Sequence, residues 1–217
     1  MPYNNRFIVF DLETGGLIKK GVTPPVTEIA IVVMDNELNI IKEYSSLIKP
    51  FYDKERAFYD PKALEVSHIT LDMCEKEGEE SSVVAKEIQK ILSDIEKGEK
   101  KSILCGHNID DFDIPILDDF LSFHKIDLSK LVETKFTIDT KWWSRMKYPE
   151  FAKYDLGFVL ENTGVDLTNA HRALTDTKGN AELVKDYIKC LRGSNSPKLI
   201  KREKTARSEF KFQFKEY

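Results

Sequence analysis

Two carboxylates near the start of the chain, Asp11 and Glu13, are the first residues whose types and spacing suggest chemistry. They follow Phe7-Ile8-Val9-Phe10, a run of apolar, β-favouring residues, and precede Thr14 and the pair Gly15-Gly16. The run reads as a buried strand that the glycines end. Residues two apart on a strand point to the same face, so both acids stand side by side at its end. Two such groups repel each other, and one takes up a proton unless a cation neutralises both. A hard divalent cation such as Mg²⁺ or Mn²⁺ prefers oxygen ligands and suits the pair. Two solvated acids where a strand surfaces would give the same pattern, so the remaining residues have to decide between the two readings.

Acids recur at the ends of two later elements. An apolar stretch at 101–106 reads as a strand and leads into His107-Asn108-Ile109-Asp110-Asp111-Phe112-Asp113. A helix follows over 114–123, with Pro115 early in it, where proline is tolerated. Near the end, Asn169-Ala170-His171-Arg172-Ala173-Leu174-Thr175-Asp176 opens a last helix. His171 and Asp176 are five apart, which on a helix is about 140° at about 100° per residue. They would not share a helical face. The layout suits His171 on a loop or first turn and Asp176 anchored on the helix.

The intervening elements must bring these groups together. Residues 17–23 form a polar loop closed by Pro24-Pro25, residues 28–34 read as a second strand, Asp35-Asn36 as a turn and 38–47 as a third strand. The three strands make a meander that Pro50 breaks. A helical turn at 63–68 follows, and an acidic run at 75–80 leads into a helix whose apolar face is Val84, Ile88, Ile91, Leu92 and Ile95. The acids suit the positive end of that helix dipole. A fifth strand at 137–140 is followed by Trp142 and Trp143, which suit either base stacking or the core. A short helix at 155–160 ends at Asn162-Thr163-Gly164, and the last helix carries Thr177, Ala181, Val184, Ile188 and Leu191 on one face. Strands followed by helix–strand alternation predict an α/β layer architecture. The expected domain is 1–192. Residues 193–217 read as a linker and a basic tail with alternating Phe210, Phe212 and Phe214, expected to be dispensable for folding or to add a strand to the sheet or a partner.

Composition bounds the function. The 217 residues carry 41% hydrophobic and 32% charged side chains and a formal net charge of −4. That balance argues against a broad basic face for coating nucleic acid, but it permits a local basic groove or a site that meets phosphate through metal ions. Cys74, Cys105 and Cys190 are far apart and form no Cys-x-x-Cys, so neither a zinc ribbon nor a disulfide framework is supported. No leader-like or membrane-length apolar run is present. A soluble, cytoplasmic protein with no membrane partner is expected.

The acids together carry a resemblance. Asp11-Leu12-Glu13-Thr14, Asn108 with Phe112-Asp113, and His171-x-Ala173-x-x-Asp176 resemble, in order, the three motifs of the DEDDh, or DnaQ-like, 3′–5′ exonucleases of the ribonuclease H-like superfamily. Glu28-Ile29-Ala30, Ser67-His68-Ile69-Thr70, Asp139-Thr140 and Tyr154-Asp155-Leu156 are minor echoes, and the likeness covers roughly residues 6–192. The chain departs from the family where Gly15-Gly16-Leu17 replaces Thr-Gly-Leu after the first threonine. Its second motif is also lengthened by Asp110 and Asp111.

The resemblance implies a ribonuclease H-like mixed central sheet, with an antiparallel meander plus parallel strands, flanked by helices. It implies that Asp11, Glu13, Asp113 and Asp176 hold two divalent ions, Mg²⁺ or Mn²⁺, about 3.5–4 Å apart. Asp11 would bridge them and His171 would act as general base. Thr14 would reach the terminal 3′-hydroxyl and Leu17 or Ile18 would wedge against the last base, with Asn108 and Phe112 in the substrate pocket. His68, His107 and His124 read as structural. The implied reaction is hydrolysis of single-stranded DNA from its 3′ end to nucleoside 5′-monophosphates. The alternative is a 3′–5′ exoribonuclease or oligoribonuclease-like trimming of RNA. An inactive binding module of the same fold is the remaining class, and the presence of all five active-site residues argues against it. No polymerase domain fits within these residues, so a proofreading role would need a polymerase or other replication or repair protein as partner, with the tail as the contact.

Overall fold

The computed structural model describes residues 6–94, 102–165 and 173–193. The expectations placed on Ile95, Lys101, residues 169–172 (His171 among them) and the tail beyond 193 lie outside the described residues.

Strands Phe7–Thr14 (β1), Val26–Met34 (β2), Ile40–Leu47 (β3), Ser102–Gly106 (β4) and Val132–Asp139 (β5) form one sheet in the order β3-β2-β1-β4-β5. β1 pairs antiparallel with β2 and parallel with β4; β2–β3 is antiparallel and β4–β5 parallel. The expected meander is therefore one half of a mixed sheet. β1 and β2 are apolar almost throughout because helices cover both of their faces. Ile8, Phe10 and Leu12 point into one core, with Val84, Ile88, Ile91 and Leu92 of the helix Ser81–Ser93 (α3) and Ile116, Leu117, Phe120 and Leu121 of the helix Asp113–Phe123 (α4). Phe7 and Val9 point the other way, against Ala181, Val184 and Ile188 of the long helix Ala173–Arg192 (α8). By the period of two, Asp11 and Glu13 continue that second row. The two acids therefore end an apolar row that faces α8.

Two shorter helices were legible at the right places: Pro61–Ser67 (α1) and Leu156–Thr163 (α7), the second capped by Asp155 and closed by Gly164 at φ 77°. A third, Thr140–Lys147 (α6), was not expected: Thr140, placed at the end of the fifth strand, instead opens this helix, with Asp139 as its cap. The acidic run is corrected. Glu75 and Glu77 belong to an additional helix, Leu71–Glu77 (α2), whose N-cap Thr70 accepts a bond from Met73 N. Only Glu79 and Glu80 precede α3, so the dipole argument applies to them alone. A one-turn helix, Leu128–Leu131 (α5), capped by Asp127, also escaped the apolar pattern. β5 begins at Val132 rather than near Thr137. Its register jumps from Ile103↔Glu133 to Leu104↔Thr137, and the intervening Thr134, Lys135 and Phe136 are exposed, which broke the strand signal. Leu191, assigned to the buried face of α8, is exposed, because burial on that helix stops at Ile188. The tryptophans divide: Trp143 packs against the α8 cores and stacks on Tyr187, while Trp142 is exposed.

Candidate active site

β1 and β4 run parallel, so their carboxyl ends and the loops that leave them lie at one end of the sheet. Close backbone approach at this end requires glycine. A Cβ on Gly106 would meet Ile109 Cγ2 at 2.0 Å and the carbonyl of Phe10 at 2.9 Å. The turn after β4 is thus pressed against the end of β1. It delivers Asp113, the first residue of α4 and only 4% exposed, whose Oδ1 accepts a bond from Leu12 N at 3.1 Å. One hydrogen bond between residues 101 apart in sequence fixes the second acidic position between Asp11 and Glu13.

The third position comes from α8, with Asp176 in its first turn. Burial, then Asp176, then Glu28 push the Asp11 carboxyl up from 3.8 to about 7. Burial, then Asp11 and, after the opposing bond from Leu12 N, Glu13 hold Asp113 well above the ordinary carboxylate range. The four acids are thus within electrostatic reach of one another through Asp11 and Asp113. Among the described residues, however, no three His, Cys, Asp or Glu side chains are gathered into a set that could hold a metal ion. The donor chemistry still fits divalent cations: the acids are hard oxygen donors, and their mutual repulsion is what such a charge would relieve.

Glu28 was legible only as an echo, and its placement gives it a role. It is 2% exposed, stands opposite Glu13 across β1–β2, and its Oε2 accepts a bond from Ala173 N at 3.3 Å. It therefore ties the start of α8, two residues after His171 in sequence, to β2, the neighbour of the strand that carries the acids. An acid at the head of the apolar run 29–34 was the available signal.

Asp139 is the second such residue. It is 4% exposed at the end of β5, and its Oδ1 accepts from Asn108 N at 2.9 Å and from Lys141 N at 3.0 Å. It caps α6 and holds the loop before Asp113 with the same oxygen. Asn108 sits there at φ 64°, a left-handed backbone that asparagine tolerates. Asp–Thr ahead of a helix is an N-cap signature that the sequence offers. Asp139→Ala is expected to cost about 2–4 kcal/mol in denaturant unfolding, because it leaves buried N–H groups without an acceptor and removes a cap. A loss under about 0.5 kcal/mol would show that the carboxylate does not hold the loop.

His107 is confirmed in its structural place. Its Nδ1 is 3.0 Å from Thr140 Oγ1 and its Nε2 2.8 Å from the carbonyl of Tyr154, and burial lowers its pKa. The expected substrate contacts spread around the same end. Thr14 is buried and its hydroxyl donates to Gly16 O at 2.7 Å, leaving its lone pairs as acceptors. Leu17 is 69% exposed on the rim of a cleft of about 120 Å³ with Gly15, Lys19, Val22 and Phe58. Ile18 instead packs against the first core, as does Phe112, and the Asn108 Oδ1 accepts from Lys141 Nζ at 2.8 Å.

A family model described as Exonuclease (RNase_T) matches residues 8–184. DNA polymerase III PolC-type from Clostridium perfringens is 28% identical over 188 residues, covering 86% of this chain and 11% of that protein. Its counterpart from Staphylococcus aureus is 30% identical over 175 residues, covering 81% and 11%. Among solved structures, E. coli Exonuclease I in complex with a dT13 oligonucleotide superposes with a TM-score of 0.71 at 19% identity, covering 88% of this chain and 42% of that one. The zinc-bound ExoI–ssDNA complex gives 0.71 at 20% identity, covering 89% and 41%. The chain thus spans about a ninth of the curated relatives and two fifths of the structural neighbours.

Proposed function

The chain belongs to the DnaQ-like, RNase T-type exonuclease family, and on that premise we propose that it removes nucleotides from the 3′ end of single-stranded DNA by metal-dependent hydrolysis. Its sheet and flanking helices are a ribonuclease H-like fold. The observation that carries the reading is the convergence of acids from β1, α4 and α8, seen in the Asp113–Leu12 bond and in the repulsion that lifts Asp11. Members of the family are typically dependent on divalent metal. Asp11, Glu13, Asp113 and Asp176 would hold two Mg²⁺ or Mn²⁺ ions, which lower the pKa of water and take up charge on the phosphate and leaving oxygen. His171 would accept the proton of the attacking water. Thr14 would accept from the terminal 3′-hydroxyl, and Leu17 would meet the last base.

The preference for DNA draws on the neighbours: Exonuclease I is solved with DNA strands and the relatives are PolC-type polymerases. Those names also support an intracellular setting beside a polymerase or another replication or repair protein, with residues 193–217 as the proposed contact. Digestion of 5′-labelled DNA and RNA strands of one sequence, with Mg²⁺ or Mn²⁺, tests the reading. Mononucleotides released from a free 3′-hydroxyl of DNA are expected. Rapid cutting of a closed single-stranded circle would overturn the polarity, and faster loss of RNA would overturn the substrate.

A further inference from the structure

The outer face of α6 is not used by any role given above, and it begins at the site. Lys141, in its first turn, reaches Asn108 in the loop before Asp113. One turn on, the Arg145 guanidinium lies 4.8 Å from the Trp142 ring centre and 5.4 Å from that of Tyr154, the residue whose carbonyl meets His107. Trp142 is 49% and Met146 70% exposed. The opposite face is pinned: Thr140 and Ser144 are fully buried, the Ser144 hydroxyl is 2.7 Å from that of Tyr187, and Trp143 stacks on the same ring. The outer side chains are thus held on a rigid helix.

Charge separates this face from its surroundings. Lys147 is committed to Asp186 and Lys153 to Asp155. Lys141 and Arg145 pair with no carboxylate among the described residues, on a chain whose formal net charge is −4. An exposed indole with a guanidinium laid on it, beside a second cation, is the composition that stacks bases and neutralises phosphates in single-stranded nucleic acid. A protein partner would also accept Trp, Met and Arg, but continuity with the Asn108 loop and two uncompensated cations favour a polyanion leaving the site.

We propose that Trp142 and Arg145, with Lys141, form a binding track for the part of the substrate strand 5′ to the nucleotide being removed. The proposal rests on the exonuclease reading and adds a length dependence to it: strands long enough to reach α6 bind more tightly than those that fill the site alone.

Binding of fluorescein-labelled dT3 and dT12 to the full chain in EDTA, where metal-dependent cleavage is silent, tests this. The wild-type chain is expected to hold dT12 more tightly. Trp142→Ala is expected to lower dT12 affinity about tenfold while its salt dependence stays the same, since stacking carries no counterion. Arg145→Ala is expected to weaken binding and to flatten the slope of log K against log salt by about 0.7, the share of one phosphate contact on a single strand. Thermal unfolding checks that both variants remain folded. If dT12 binds more tightly than dT3 and both variants keep that gain, the track is overturned and the exonuclease reading stands. If the wild-type chain binds neither strand, both fall.

Discussion

Asp113→Asn is expected to remove activity and, in the metal-free protein, to raise stability. The two effects have one cause. Asp113 is nearly fully buried, bonded to Leu12 N, and held well above the ordinary carboxylate range by burial and by Asp11. The substitution keeps an amide oxygen but takes a negative charge from the proposed cation site. A several-kcal/mol loss of transition-state charge stabilisation is about a thousandfold in rate or more. Asp11→Ala is expected to be as severe, and activity should vanish in EDTA. Stability runs the opposite way. A carboxyl whose folded pKa lies above its unfolded value binds more protons folded than unfolded, so its stabilisation is complete below about 4 and is lost as pH rises through the folded value. For Asp11 that window is from about 3.8 to about 7. Metal-free protein should therefore lose stability across the window, by up to about 4 kcal/mol if Asp11 alone carried it. Mg²⁺ or Mn²⁺ should restore the loss through binding, and Asp113→Asn should shrink it. Thermal unfolding from pH 4 to 8, with and without metal, checks all three. Full turnover in EDTA, or a metal-free wild type more stable at pH 7 than at pH 4.5, would sink the account of the acids.

Those acids were legible because strand periodicity and the order of motifs act locally. Asp11 and Glu13 share a face from a spacing of two, and Asp113 opens a helix because Pro115 can only sit near a helix start. The long helix, the meander and the mixed sheet followed from apolar rows that burial on both faces keeps nearly continuous. The positions that escaped depend on partners distant in the chain. Glu28 looks like one acid in an apolar strand until Ala173 N, 145 residues away, is brought to it. Asp139 is only a strand residue and a minor echo in the sequence; it caps α6, and its second duty toward Asn108 exists because β4 and β5 end side by side. Leu191 matches a helical face that stops being covered one turn earlier. In the lengthened motif Asn108–Asp113, Phe112 is partly buried and Asp113 buried, whereas Asp110 and Asp111 are exposed, a difference that depends on how the turn after β4 packs.

His171→Ala is expected to lower turnover by about 10²–10⁴-fold, the range of general-base catalysis, while fold and metal binding are kept. The other histidines are placed for different work. Both ring nitrogens of His107 are engaged, and burial favours its neutral form as a fixed strut between Thr140 and Tyr154. His124 packs edge-on against Phe120 and Phe123 at the end of α4 away from Asp113, and His68 terminates α1 at φ 55°. His171 precedes Ala173, where Glu28 ties the start of α8, and Asp176, which acts on Asp11. An ordinary imidazole titrates near 6.5, so the neutral acceptor dominates just above neutrality. A carboxylate beside an imidazole raises that value and a cation beside it lowers it, so the acid limb of the rate profile would mark the balance. Divalent cations bring the ionisation of water into the same range, and the wild-type profile alone does not identify the base. The variant supplies the control: its acid limb should flatten as its rate falls, while Mn²⁺ titration by calorimetry stays close to wild type. If His171→Ala turns over at a near-normal rate while His107→Ala or His68→Ala, verified as folded, does not, the base is another histidine.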